Sequence, residues 1–221
     1  MIPITKTNDF LFGKSPGGVN NLLGHRSKNL DELDLNNYIL FSGCSHTWGV
    51  GLEKEETYPY LVAKQLQCDY YNLAISGGGI ELAVVNIFSF LHNIKPNPKV
   101  LILQYPGPYR FLISAAGDNK VFYNVGPWVK KTAESEILVD FHKNRYIHAK
   151  YIIWEHLVKC INIPMVLVSH ENMIDELKSM NIKNFLTIRN LDVAKDNIHP
   201  GIQSNIEIAN LIVEHIEKVY F

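Results

Sequence analysis

Short apolar runs alternate with helix-like patterns along most of this chain, and that alternation limits its fold more than any other feature. The runs show little polar alternation, which is typical of strands in a parallel sheet that is covered on both faces. Five strands are predicted: Tyr38–Ser42, Tyr70–Ala74, Val100–Tyr105, Pro164–Ser169 and Asn184–Ile188. Strands that alternate with helices in this way predict a doubly wound α/β sandwich.

Helical periodicity fills the gaps between these runs. Thr57 is placed to cap a helix that runs to about Leu66. Apolar residues at helical spacing form three further faces: Ile80, Val84, Ile87 and Leu91; Ile147, Tyr151, Trp154, Val158 and Ile161; and Ile202, Ile206, Ala209, Val213 and Ile216. Because no internal repeat or low-complexity linker interrupts the pattern, the 221 residues are predicted to form a single domain, 1–221.

Two segments depart from the alternation. Residues 1–36 are polar and rich in Gly, Asn and Asp, and they predict an irregular arm packed on the domain. Residues 107–140 form an aromatic insertion after the third strand, at the carboxyl edge where open α/β sheets bind ligands. Two interpretations stay open for the insertion: a cap over the site, or an extra hairpin that covers a sheet edge or makes a dimer contact in a homo-oligomer.

Composition and charge limit the kinds of molecule that this protein is expected to bind. A hydrophobic content of 47% is enough for a substantial core, and 21 basic against 22 acidic residues give a formal net charge of −1. Since no Lys/Arg cluster stands out, neither nucleic acid nor an anionic membrane is expected as a partner. No apolar run approaches the length of a membrane span.

The cysteines and the first residues of the sequence bear on location. The three cysteines are widely spaced, which argues against a disulfide framework and fits a reducing compartment. The first residues lack the basic and apolar regions of a signal peptide. We therefore expect a cytoplasmic protein, and a virion or a leaderless export route stays open.

A serine follows the first predicted strand, within the sequence Gly-Cys-Ser-His-Thr-Trp-Gly at 43–49. A serine hydroxyl is a poor nucleophile unless an imidazole takes its proton, and that imidazole needs a carboxylate to fix its tautomer. Near the far end, Asp196 stands three residues before His199, just ahead of the last predicted helix. Both segments follow strands and should lie at the carboxyl edge, so Ser45, His199 and Asp196 are predicted to form a catalytic triad.

Each of these residues also has a plainer interpretation. Most loop serines cap a helix or hold a turn, and an isolated Asp-x-x-His pair would be a capping carboxylate beside a surface histidine. The two motifs together favour the triad. Cys44 is a rival nucleophile, although a strand period of two points it away from Ser45 and favours a buried structural thiol. The other histidines show no ligand-like spacing, so no metal is expected.

The serine segment and the Asp-x-x-His-Pro segment together resemble the SGNH (GDSL-like) hydrolases, from about Asn37 to the C-terminus. The residue before the nucleophile is usually Asp in that family and is Cys44 here. The resemblance implies a flavodoxin-like, three-layer α/β/α sandwich with five parallel strands ordered 2-1-3-4-5. It also implies a serine esterase that needs no metal or organic cofactor and acts on a short acyl ester, with an O-acetylated carbohydrate as the first expectation.

The same resemblance suggests the groups that hold the oxyanion. The stretch Asn72–Gly79 resembles the family's second block, which makes the Gly77 backbone N–H a donor beside that of Ser45. The family's third block, Gly-x-Asn-Asp, is altered, because Tyr109 stands at the Asn position and Arg110 follows it. Tyr109, Arg110 or the upstream Gln104 amide could replace the missing donor. The alteration keeps two other classes open: a catalytically degenerate domain that binds carbohydrate or a protein, and an O-acyltransferase.

Overall fold

The computed structural model describes residues 2–5, 20–107, 110–115, 118–125, 156–157, 159–179, 181–182 and 185–220. The strands are β1 (Ile2–Thr5), β2 (Tyr38–Ser42), β3 (Asp69–Asn72), β4 (Leu101–Gln104), β5 (Phe111–Ala115), β6 (Asp118–Val125), β7 (Met165–His170) and β8 (Leu186–Ile188). The helices are α1 (Ser45–Trp48), α2 (Tyr58–Gln65), α3 (Ile80–Asn93), α4 (Ile174–Ser179) and α5 (Ile202–Tyr220). Single 3₁₀ turns lie at Leu30–Glu32, Lys54–Glu56 and Glu171–Met173.

The main sheet has five parallel strands in the order β3-β2-β4-β7-β8. Numbered by their order along the chain, these strands run 2-1-3-4-5, so the predicted fold class and strand order are confirmed. The strand β2 lies between β3 and β4, and its Leu40 is in register with Tyr71 on one side and Leu101 on the other. The residues that follow β2 therefore emerge near the middle of the carboxyl edge.

Helices cover both faces of this sheet because successive strand residues point to opposite sides. On one face, Leu40 packs in a buried cluster with Ile87 and Phe90 of α3. On the other face, Phe41 packs in a second cluster with side chains of α2 and α5, including Ile212. The two clusters fill the spaces between the sheet and the helices on either side, which gives a three-layer sandwich, and α5 lies on the same face as α2.

The strand and helix bounds differ from the prediction at a few ends. The strand predicted at Tyr70–Ala74 ends at Asn72, because the Asn72 side-chain oxygen accepts the Ala74 N–H at 3.0 Å and turns the chain. Thr57 precedes α2 as predicted, but its hydroxyl donates to the Lys54 carbonyl at 2.7 Å and caps no N–H of α2. The helix predicted around 147–161 lies mostly outside the described residues, although 156–157 and 159–160 are helical.

A second, three-stranded antiparallel sheet has the order β1-β6-β5. Its first strand, Ile2–Thr5, belongs to the segment predicted to be irregular, and the sequence pattern did not indicate a strand there. Its other two strands form a hairpin inside the 107–140 insertion, of which residues 108–109, 116–117 and 126–140 lie outside the described residues. At the start of β5, the Arg110 carbonyl lies only 2.7 Å from where a Cβ on Gly79 would stand, so this hairpin begins directly against the first turn of α3.

Within the described ranges, the structure has no helix that is both long and apolar enough to cross a bilayer.

Candidate active site

Ser45 begins the one-turn helix α1, three residues after the last residue of β2, and its exposed fraction is only 3%. Gly43 allows this tight connection. A Cβ at position 43 would lie 2.3 Å from Thr47 Oγ1, a separation that real side chains essentially never adopt, and 3.0 Å from the Gln104 Cβ, which is also unusually close. The glycine therefore lets the serine turn settle directly on the end of β4.

A buried hydrogen-bond chain holds this turn from below. The Tyr58 hydroxyl donates to Thr47 Oγ1 at 2.7 Å, and the Thr47 hydroxyl donates to Gln104 Oε1, also at 2.7 Å. The Asn72 side-chain amide donates to the Thr47 carbonyl at 2.9 Å. All four residues are at most 2% exposed. Because satisfied buried networks are rigid, the turn that carries Ser45 is fixed by groups from α2, β3 and β4.

The far end of α1 is held by Arg26 from the N-terminal arm. Its guanidinium donates to the carbonyls of Trp48 at 3.2 Å, Gly49 at 2.6 Å and Leu52. The same group lies 4.6 Å from the centre of the Trp48 ring, a cation–π distance. Burial lowers the pKa of Arg26 from its ordinary value. The arm thus contributes to the site, a role that its polar composition did not indicate.

The second motif forms a compact loop between β8 and α5. Val193 and Pro200 pair across its base in an antiparallel bridge, and the Ala194 N–H donates to the His199 carbonyl at 2.8 Å. Asp196 Oδ1 accepts the backbone N–H of His199 at 3.0 Å and that of Ile198 at 3.1 Å. The carboxylate therefore shapes the loop on which the histidine stands.

The other carboxylate oxygen of Asp196 binds the ring of His199, with 2.5 Å between Oδ2 and Nδ1. Burial opposes ionisation of Asp196, but the hydrogen bonds from His199 and Ile198 outweigh it and lower the pKa of the carboxyl. A carboxylate on Nδ1 fixes the ring tautomer and leaves Nε2 able to accept a proton. The predicted relation between Asp196 and His199 is therefore present in the structure.

The serine and histidine segments meet at the carboxyl edge of the sheet. A Cβ on Gly51, just after α1, would lie 2.8 Å from the Ala194 Cβ and 3.3 Å from Asp196 Oδ1. The His46 ring, next in sequence to Ser45, packs edge-on against the His199 ring with 5.4 Å between centroids. Among the described residues, no hydrogen bond joins the Ser45 hydroxyl to His199, so the contact expected for a working triad is not made in this state. In structures without a ligand, such contacts are often long and tighten only on binding.

A second pair of histidines stands beside the first. His46 Nδ1 and His170 Nε2, at the end of β7, are 2.8 Å apart. Burial holds the pKa of His46 well below its ordinary value, and the charges of His170, His199 and Arg110 act in the same direction. Burial also lowers the pKa of His170. The sequence pattern did not single out these two residues, although each follows a predicted strand at the carboxyl edge.

No cluster of three or more His, Cys, Asp or Glu side chains in the described part of the chain is arranged to hold a metal ion.

The candidate oxyanion donors differ in where they lie relative to Ser45. Gly77 lies in a tight turn after β3, closed by a hydrogen bond of 2.8 Å from the Gly78 N–H to the Ile75 carbonyl, at the same sheet edge as Ser45. Arg110 is near enough for its charge to act on His46. The Gln104 carboxamide oxygen is directed to Thr47. Tyr109 lies outside the described residues.

Cys44 fits the structural interpretation better than the nucleophilic one. Its exposed fraction is 3%, and its thiol lies 3.6 Å from Gln104 Oε1. The same oxygen accepts the hydrogen bond from the Thr47 hydroxyl. The thiol is therefore part of the buried layer below the serine turn.

Comparison with known proteins identifies the fold. No protein-family profile matches the chain, and no curated protein matches it in sequence. Among solved structures, a carbohydrate esterase whose active site is described as displaying "divergent catalytic and non-catalytic binding functions" is 17% identical with a TM-score of 0.53, over 83% of this chain and 65% of the other. A carbohydrate esterase family 2 enzyme with a carbohydrate binding domain, from Corynascus thermopiles (Myceliophthora fergusii), is 15% identical with a TM-score of 0.55, over 82% and 66%.

A protein of the G-D-S-L lipolytic family, from Desulfitobacterium hafniense DCB-2, is 12% identical with a TM-score of 0.51, over 81% of this chain and 99% of the other. This chain thus spans about two thirds of the two carbohydrate esterases and nearly all of the G-D-S-L protein. At these identities the likeness is one of fold, and the fold is that of the SGNH/GDSL-like hydrolases, as the two sequence motifs suggested.

Proposed function

We propose that this protein is a serine esterase that hydrolyses short acyl esters, with O-acetylated carbohydrates as the substrate class. One observation carries the proposal: an Asp196–His199 pair with a 2.5 Å hydrogen bond stands at the same sheet edge as Ser45, and the His46 ring beside Ser45 packs on the His199 ring. A carboxylate-oriented imidazole close to a serine at the carboxyl edge is the arrangement that acyl transfer requires.

In the proposed reaction, the Ser45 hydroxyl attacks the ester carbonyl carbon while His199 Nε2 takes its proton. Asp196 keeps the proton on Nδ1 and stabilises the imidazolium that forms. The backbone N–H groups of Ser45 and Gly77 donate to the oxyanion. His199 then returns the proton to the departing alcohol, and a water molecule, activated by the same histidine, hydrolyses the acyl-enzyme.

The substrate class rests on the carbohydrate esterases that share the fold. Hydrolysis of p-nitrophenyl acetate, butyrate and octanoate, together with acetate release from an acetylated oligosaccharide, tests it. We expect acetate esters to be hydrolysed fastest. A clear preference for octanoate would assign the protein to long-chain lipids instead.

Covalent labelling tests the mechanism itself. A fluorophosphonate probe should form one adduct on wild-type protein, located on Ser45 by peptide mass spectrometry. The Ser45→Ala variant should form none, and its melting temperature should stay close to that of the wild type because the change removes one oxygen atom and leaves the Cβ in place. The Cys44→Ala variant is the matched control and should still be labelled. An adduct that persists in Ser45→Ala would move the nucleophile elsewhere, with Cys44 the next residue to test.

A non-catalytic carbohydrate-binding domain is the second candidate. It is favoured by the altered third block, where Arg110 follows the position of the expected amide donor, and by the absence, within the described residues, of a Ser45–His199 hydrogen bond. Losing one oxyanion donor costs about 10²–10³-fold in turnover. A wild-type protein that binds acetylated oligosaccharide in calorimetry but forms no fluorophosphonate adduct would establish this alternative.

A further inference from the structure

Three imidazole rings meet at the carboxyl edge of the sheet. His46 comes from the first turn of α1, His170 from the end of β7 and His199 from the loop before α5. His46 is the middle one: its ring lies 4.6 Å from that of His170 and 5.4 Å from that of His199, centroid to centroid, and is nearly perpendicular to both. The proposed mechanism uses only His199, so the other two rings need their own explanation.

The bond between His46 and His170 limits the charge that the pair can carry. At 2.8 Å the two nitrogens share one proton, so one ring donates and the other accepts. A second proton between them would replace the hydrogen bond by a contact of two N–H groups. The bond therefore excludes a proton on both facing nitrogens at once, so the pair carries at most one positive charge, and burial favours the neutral state because it penalises charge on either ring.

The groups around the pair also bear on its charge. Among the described groups, His170, His199 and Arg110 oppose a proton on His46, and Asp196 favours one. Glu171 favours a proton on His170. In the proposed reaction His199 becomes an imidazolium next to the His46 ring. A cationic His46 at this distance would oppose that step. A neutral His46 ring does not repel the imidazolium, which the Asp196 carboxylate then stabilises.

We propose that the hydrogen-bonded pair His46–His170 is a positioning unit for the catalytic base, which holds a neutral ring against His199 and so fixes its plane while His199 takes up the serine proton. This inference rests on the proposed function, because it assigns the pair a part in the same reaction. His46 and His170 are positioning residues here, since they act through His199.

Two substitutions of His170 and one control separate this role from simple packing. His170→Gln keeps a side chain that can bond to His46 and removes the second titrating ring, whereas His170→Phe keeps a ring and removes the bond. His215→Gln removes a histidine of α5 that lines a groove with Met165, at the opposite end of β7. The readouts are the rate of fluorophosphonate labelling at Ser45 and the pH dependence of kcat/KM for p-nitrophenyl acetate between pH 5 and 9.

We expect His170→Gln and His215→Gln to be labelled within about threefold of the wild-type rate. His170→Phe should be labelled at least tenfold more slowly. Its kcat/KM should also be at least tenfold lower across this pH range, because the His46 ring that packs against His199 is no longer held by a hydrogen bond. A role in packing alone predicts the reverse order, because His170→Phe keeps a ring at this position and His170→Gln does not.

A folded His170→Phe protein with the labelling rate and kcat/KM of the wild type would overturn the inference. So would a folded His170→Gln protein that loses as much labelling as His170→Phe. If His170→Phe does not fold, ring-nitrogen NMR shifts of the wild type at pH 6 decide: neutral His46 and His170 rings support the inference, and cationic rings overturn it. If wild-type protein is not labelled at all, the proposed function fails first, which differs from labelled wild type with unaffected variants.

Discussion

Replacing Thr47 with Val should be one of the most damaging single changes near the serine turn. Valine has nearly the shape of threonine, so the change removes the hydroxyl and leaves the packing almost intact. That hydroxyl accepts from Tyr58 at 2.7 Å and donates to Gln104 Oε1 at 2.7 Å. Without it, the Tyr58 hydroxyl has no acceptor, and Gln104 Oε1 keeps only the Cys44 thiol at 3.6 Å.

The size of the effect follows from the two polar groups that are left. Both Tyr58 and Gln104 are at most 1% exposed, so water cannot replace the lost partner. A buried polar group left unsatisfied costs about 1–3 kcal/mol, so Thr47→Val should lower the free energy of unfolding by about 2–6 kcal/mol. Tyr58→Phe removes only the donor, while Thr47 still donates to Gln104, and should cost about 1 kcal/mol.

The double variant Thr47→Val/Tyr58→Phe gives the sharper test. It contains no orphaned Tyr58 hydroxyl, so its destabilisation should fall short of the sum of the single changes by about 1–3 kcal/mol. Urea unfolding followed by circular dichroism measures all three variants. Thr187→Val, at an exposed position of the edge strand β8, is the matched control and should stay within about 0.5 kcal/mol of wild type. A similarly small effect of Thr47→Val, or strict additivity, would refute the proposed network.

Three further changes test other parts of the site. Asp196→Asn keeps an oxygen for the two loop N–H groups but removes the charge, so kcat should fall by about 10²–10⁴-fold with little change in melting temperature; unchanged kcat would contradict its role. The lowered pKa values of His46 and His170 mean that below about pH 6.5 the unfolded chain binds more protons than the folded one. The free energy of unfolding from urea titrations should therefore decrease from pH 6.5 to 5.5, by up to about 2 kcal/mol if both rings stay neutral, and a flat profile would argue against buried neutral rings. Gly51→Ala forces a Cβ to within 2.8 Å of the Ala194 Cβ at a φ of +80°. It should therefore lower the free energy of unfolding by about 1–3 kcal/mol and slow fluorophosphonate labelling. Wild-type values for both would show that the loops carrying Gly51 and Ala194 are not in close contact.

The main sheet could be predicted because its signals are local. Most of its strands are short apolar runs, and a strand that is buried on both faces can be recognised from its own residues alone. The predicted end of a strand is wrong where a single side chain bonds to the backbone. At Asn72, such a hydrogen bond ends β3 two residues before the predicted end. The strand β1 was missed because it pairs with Val121–Asn124, far along the chain, and nothing in four residues of local sequence indicates that partner.

The site could be predicted only in part, for the same reason. Asp196 and His199 are three residues apart, so their relation can be inferred from spacing alone. His46 and His170 are 124 positions apart, and only the folded sheet brings them together. Burial of a cation such as Arg26 also depends on tertiary structure, because three backbone carbonyls from 48–52 compensate for the water that it loses.

The position of Arg26 has a practical consequence for any shortened version of this protein. The first strand of the main sheet begins at Tyr38, and a fragment cut there would keep all five parallel strands, the serine and the Asp196–His199 pair. It would also leave the carbonyls of Trp48, Gly49 and Leu52 without their shared donor and would uncover the Trp48 ring. Such a fragment would retain every residue of the proposed triad but lose the group that holds the far end of α1. The smallest unit worth testing for activity therefore begins before Asn21, whose side chain organises the turn that leads into Arg26.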